Sequence, residues 1–114
     1  MAKARFYHWN KCSTCRDARK LLAGQGVEIM ERDFFKDPFT EKELRELIGR
    51  KAVSELFSWN SPSFKKLGLD RESLSDDELV RLMLQEPRLI RRPITVAGRV
   101  MIIGADKAAL SRIS

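Results

Sequence analysis

An α/β fold, with a mixed four-stranded sheet strung in the order β-α-β, helical insertion, β-β-α, is what the sequence predicts, and three observations carry that prediction. First, an apolar stretch, an amphipathic stretch and a second strand-like stretch succeed one another over residues 4–34, the pattern of a βαβ unit. Second, Thr40 with Glu43 and Ser75 with Glu78 have the spacing of capping boxes and open helices within residues 40–90. Third, Gly98-Arg99 separates two short apolar runs, as the turn of a hairpin does.

The elements follow in order. Residues 4–9 read as a strand, with Phe6 and His8 on one side and Tyr7 and Trp9 on the other. Asn10 and Lys11 break it. A helix is expected from about Ser13 to Ala23, with Ala18, Leu21 and Leu22 on its apolar side and Gly24 and Gly26 ending it. Val27 to Phe34 returns as a strand, and a helical crossover between the two implies that they run parallel. A helix from about Glu41 to Ile48 closes at Gly49, short helical turns lie around Val53 to Phe57 and Pro62 to Leu67, and the helix after Ser75 stops at Pro87. Ile94 to Ala97 and Val100 to Ile103 pair as the hairpin, and Asp106 to Ile113 forms a closing helix. With no repeat, linker or low-complexity segment, residues 1–114 are expected to form one domain, its helical insertion at about 40–90 packing on the same core. This order is the plan of a thioredoxin-like domain.

The chain has 114 residues, 43% hydrophobic and 33% charged, a composition ordinary for a soluble globular protein. No apolar run approaches the roughly 20 residues that span a bilayer, and no signal core is evident, so the expected location is the cytoplasm. Twenty-two basic against 16 acidic residues give a net charge of +6, which attracts anions or acidic proteins. The charges are interspersed, and no nucleic-acid motif or base-stacking array accompanies them, which argues against direct nucleic-acid binding.

Chemistry concentrates in Cys12-Ser13-Thr14-Cys15, which holds both cysteines of the chain at a strand-to-helix junction. Cys12 would sit near the helix start, where unsatisfied N–H groups and the helix dipole favour a thiolate. Cys15 would lie within about one turn, close enough to close a disulfide and release a partner held on Cys12. The expectation is that Cys12 attacks and Cys15 resolves. Three alternatives stand beside it: a structural disulfide, which so short a loop would stabilise little; a zinc site, for which two cysteines and His8 are too few ligands; and two inert cysteines packed as small hydrophobes.

Three segments taken together resemble the arsenate reductase (ArsC) and Spx-like family of thioredoxin-fold proteins. Tyr7-His8-Trp9-Asn10-Lys11-Cys12-Ser13-Thr14-Cys15-Arg16 is similar to its active-site loop, Lys36-Asp37-Pro38-Phe39-Thr40 to its strand-to-helix turn, and Arg91-Arg92-Pro93-Ile94 to its arginine-proline signature. The likeness runs from about residue 4 to residue 113. It implies that Cys12 is the reactive cysteine, that Arg92 aims its guanidinium at that sulfur or its oxyanion adduct, and that Pro93 is a cis-proline facing the loop. An always-charged, planar arginine suits both tasks. His8 could stabilise the thiolate or shuttle a proton, and Arg16 could add positive charge, although a packed strand histidine and a surface helix charge are the simpler readings.

Family arsenate reductases hold the oxyanion with two further arginines. Here those stretches read Leu56-Phe57-Ser58-Trp59-Asn60 and Val100-Met101-Ile102-Ile103-Gly104, with Ser58 and an aliphatic residue where the cations would be. One arginine in place of three weakens the case for arsenate. The leading expectation is therefore a thiol–disulfide redox protein with no bound cofactor, drawing electrons from glutathione, glutaredoxin or thioredoxin and acting on a thiol redox partner protein. The alternatives the resemblance leaves are an Spx-like redox-switched transcription regulator that grips RNA polymerase, and a glutaredoxin-dependent arsenate reductase.

Overall fold

A computed structural model describes residues 3–49 and 52–113. Its chain divides into two compact units, one made of the residues up to Asp37 and from Arg92 onward, the other of Pro38–Arg91.

The first unit holds the sheet. β1 (Lys3–His8), β2 (Glu28–Asp33), β3 (Ile94–Ala97) and β4 (Val100–Ile103) lie in the order β2-β1-β3-β4. β1 and β2 are parallel, and the other neighbours are antiparallel, so the sheet is mixed as expected. The register places Phe6 beside Glu31 and Thr95, and Thr95 beside Ile102, on one face. That face carries a core of Ala4, Phe6, Ala18, Leu22, Val27, Ile102, Leu110 and Ile113, in which α1 (Ser13–Gly24) and α6 (Lys107–Leu110) supply the helical side chains. Tyr7, Ile94, Val96 and Met101 are buried on the opposite face. A continuous apolar layer on each side fixes the strand register, because a slip of one residue would exchange the two layers.

Boundaries differ from the periodicity by small, explicable amounts. β1 ends one residue early, at His8, because the Trp9 carbonyl turns to accept the Cys12 N–H at 3.0 Å. β2 stops at Asp33, whose carbonyl accepts the N–H groups of Lys36 and Asp37. α1 runs on through Gly24 to a cap at Gln25, and Gly26 then takes a left-handed φ of +77°. The Gln25 amide donates to the carbonyls of Leu110 and Ile113 at 3.0 and 2.7 Å. α6 is shorter than the expected 106–113 because its bonding tightens after Ser111: the Arg112 N–H donates to Ala109 O at 3.2 Å and the Ile113 N–H to Leu110 O at 3.1 Å, three residues back instead of four. The hairpin turns at Gly98, φ +59°, as a two-residue loop with glycine first requires.

The second unit is helical: α2 (Glu41–Ile48), α3 (Val53–Leu56), α4 (Pro62–Leu67) and α5 (Asp76–Gln85), with short 3₁₀ turns at Arg71–Ser73 and Pro87–Leu89 that the sequence did not signal. Both capping boxes form reciprocally, Thr40 with Glu43 and Ser75 with Glu78. α2 and α3 pack on α5, and Phe57, Trp59 and Phe64 form an aromatic group with ring centroids 4.5 to 5.3 Å apart.

Candidate functional site around the dithiol

Cys12 caps α1. Its backbone is extended (φ −97°, ψ 117°), and its Sγ accepts the Cys15 N–H at 3.3 Å, satisfying one of the orphan donors of the first turn. The first turn of α1 carries no acidic residue to offset the positive end of the helix. Both thiols are free; Cys12 is half-buried, whereas Cys15 is fully buried on the face that bears Ala18 and Leu22. Burial pushes the Cys15 thiol up to about 12, and its hydrogen bond to Cys12 pushes the same way. The Trp9 backbone amide and the Arg92 guanidinium pull against that shift, so both stand near the pair.

Arg92 precedes Pro93 across a cis peptide bond. Its guanidinium carbon lies 5.2 Å from the Trp9 ring centroid and 5.5 Å from that of Phe35. The two rings stack with centroids 4.2 Å apart and planes within 11°, so one cation shares a two-ring platform. Asp33 holds the two loops of this platform together: Oδ2 accepts the Asn10 N–H at 3.2 Å and Oδ1 the Phe35 N–H at 2.9 Å. Sequence reasoning missed Phe35 and Asp33, although an aspartate closing a strand before two aromatics is a turn signal.

His8 takes a different set of partners. It is 7% exposed and stacks on Phe6 at 5.5 Å. Its Nδ1 lies 3.4 Å from Arg19 Nη2, and because arginine only donates, Nδ1 is the acceptor and the neutral ring carries its proton on Nε2. Nε2 faces Glu31 Oε1 at 3.6 Å, the carboxylate that Arg19 Nε meets at 2.6 Å. Burial, then the Arg19 charge, lower the His8 pKa from its usual value. Arg16 is exposed on α1.

Ser58, where a family arginine was sought, lies in the second unit and donates its N–H to Leu89 O at 2.7 Å. It lines an open cleft of about 430 Å³ with Phe57, Trp59, Arg71 and Arg91. The Arg71 guanidinium covers the Trp59 ring at 4.4 Å. Among the described residues no group of three or more His, Cys, Asp or Glu side chains comes together to hold a metal, and no helix is long and apolar enough to cross a membrane.

A model of the ArsC family matches residues 7–113, which takes in the dithiol loop and the cis-proline. The chain belongs to the ArsC family. Among its relatives, the regulatory protein MgsR of Bacillus subtilis is 30% identical over 96% of this chain and 88% of its own length. The global transcriptional regulator Spx of Streptococcus pneumoniae is 36% identical over 84% of this chain and 74% of its own. Among solved structures, an arsenate reductase from Vibrio cholerae superposes with a TM-score of 0.87 at 28% identity, covering 99% of this chain and 98% of that one. The family thus joins regulators and reductases on one thioredoxin-like fold.

Proposed function

We propose that this ArsC-family chain is a thiol–disulfide redox protein in which Cys12 attacks and Cys15 resolves. The observation that carries the reading is the asymmetry of the pair: a half-exposed sulfur capping α1 with a buried sulfur hydrogen-bonded behind it. The Cys12 thiolate attacks one sulfur of a disulfide, whose S–S bond breaks and whose other sulfur leaves as a thiolate. Cys15 then gives its proton to solvent and attacks the Cys12 sulfur, releasing the bound thiol and leaving a Cys12–Cys15 disulfide. The pair has lost two electrons and the substrate has gained them; glutathione, glutaredoxin or thioredoxin restores the reduced pair. Arg92 holds positive charge over Trp9 and Phe35 beside the reacting sulfurs. Reduction of hydroxyethyl disulfide coupled to glutathione reductase tests this: Cys12→Ser should abolish turnover, and an unaffected rate would refute the assignment.

The identity to Spx and MgsR favours a second reading, in which oxidation of the same pair alters affinity for an acidic partner such as RNA polymerase and nothing turns over. Reversible capture of the polymerase that depends on oxidation, without reductase activity, would select it. The likeness to the Vibrio reductase keeps arsenate in view, and absence of arsenate-dependent NADPH consumption with glutathione and glutaredoxin supplied would dismiss it.

A further inference from the structure

The cleft of about 430 Å³ lies wholly within the helical unit, and the dithiol chemistry makes no use of it. Its walls are held from several directions. Residues 56–58 and 89–91 form a short antiparallel bridge, in which Phe57 pairs with Ile90, the Ser58 N–H donates to Leu89 O at 2.7 Å and the Arg91 N–H donates to Leu56 O at 2.9 Å. Trp59 packs on Phe57 and edge-on to Phe64, and its Nε1–H donates to Ser54 O at 2.9 Å. Two guanidiniums are set into this frame. That of Arg71 lies over the Trp59 ring, and no ion pair or side-chain hydrogen bond among the described residues takes up its N–H groups. That of Arg91 donates from Nη1 to Glu55 O at 3.3 Å, which spends one N–H and orients the rest. Arg91 forms no ion pair among the described residues either.

Ser54, Ser58 and Asn60 line the same cleft, so hydroxyl and amide donors stand with the two cations. Donors in such excess, on supports that are already ordered, suit a phosphate group, which carries more than one negative charge near neutral pH and accepts several hydrogen bonds. Glu55 is the one acid on the wall, and it too forms no ion pair among the described residues. Its carboxylate repels a second anion and accepts from hydroxyl groups. The volume falls within the roughly 300–1,000 Å³ of small-molecule sites and exceeds what one phosphate fills. We propose that this cleft binds a small phosphomonoester that also bears hydroxyl groups, as a sugar phosphate does. Arg71 and Arg91 take the phosphate, and Glu55 accepts from the hydroxyls. The site stands independently of the redox reading.

The two tryptophans of the chain make the test local, because Trp59 lines the cleft and Trp9 belongs to the dithiol loop. In the reduced full chain labelled with nitrogen-15, glucose 6-phosphate should shift the Trp59 indole N–H resonance saturably, with a dissociation constant of about 1 mM. Inorganic phosphate should shift the same resonance with about tenfold weaker affinity, and glucose should leave it in place. Arg71→Ala and Arg91→Ala should each weaken glucose 6-phosphate at least about tenfold, the loss expected of a charge-assisted hydrogen bond. Both arginines are exposed, and unchanged amide resonances elsewhere verify that the variants fold. Glu55→Ala should close the gap between glucose 6-phosphate and inorganic phosphate. No saturable shift at Trp59, a shift that survives both arginine substitutions, or an equal response to glucose would overturn the site. A shift at Trp9 alone would overturn it as well, by sending the anion to the dithiol loop.

Discussion

The thiol of Cys15 should be almost inert until Cys12 has reacted. With its pKa pushed up to about 12, Cys15 at neutral pH lies about five units below ionisation, so its thiolate fraction is on the order of 10⁻⁵. Burial accounts for most of this, and solvent access is closed as well, since Cys15 is 0% exposed. The hydrogen bond and charge of Cys12 supply a further part, and both vanish once Cys12 is held in a mixed disulfide. The attack therefore arms the resolving thiol. Iodoacetamide labelling of the reduced native protein, read by peptide mass spectrometry, should modify Cys12 while protecting Cys15 by at least about a thousandfold. Denaturation should bring both to similar rates. Release of a mixed disulfide from Cys12 should accelerate close to tenfold per pH unit above neutrality, as expected of an attacking thiol that must first ionise. Equal native labelling of the two cysteines, or release independent of pH, would refute the reasoning.

The raised Cys15 pKa also sets an alkaline limit. The unfolded thiol ionises near 9.0 and the folded one near 12, so this stabilisation is whole below about 9 and is lost as pH climbs between the two values, by about 1.4 kcal/mol per unit; Cys15→Ala should flatten that decline in urea titrations. His8 behaves oppositely: its folded pKa is lowered, so its contribution is present above the unfolded value and lost as pH falls below it, and His8→Gln should reduce the acid sensitivity of the melting temperature. Removing one half of a capping box, by Thr40→Ala, should cost about 1 kcal/mol by urea denaturation, whereas an unchanged midpoint would show that the α2 terminus is held by packing.

What the sequence disclosed and what it withheld divide by range. Thr40 with Glu43, Ser75 with Glu78, and Gly98 in its turn act within a few residues, and each was legible because its partner sits at a fixed short spacing. Cys12 at the start of α1 was legible for the same reason, since its acceptor role is toward the Cys15 N–H. By contrast, the His8–Arg19–Glu31 group joins β1, α1 and β2, and no spacing rule links those three positions. The platform of Trp9, Phe35 and Arg92 joins three loops that meet only when β1 lies between β2 and β3. The Gln25 amide likewise reaches the Leu110 carbonyl at the end of α6 across 85 residues, a contact that no local pattern announces.

The division of labour between the two cysteines is tested most directly by intact-mass time courses after a single equivalent of an activated disulfide. In the native chain an adduct on Cys12 should appear and then vanish, leaving a protein lighter than the reduced form by two hydrogens. In the Cys15→Ser chain the adduct on Cys12 should persist. An adduct that persists equally in both chains, or that forms first on Cys15, would contradict the account.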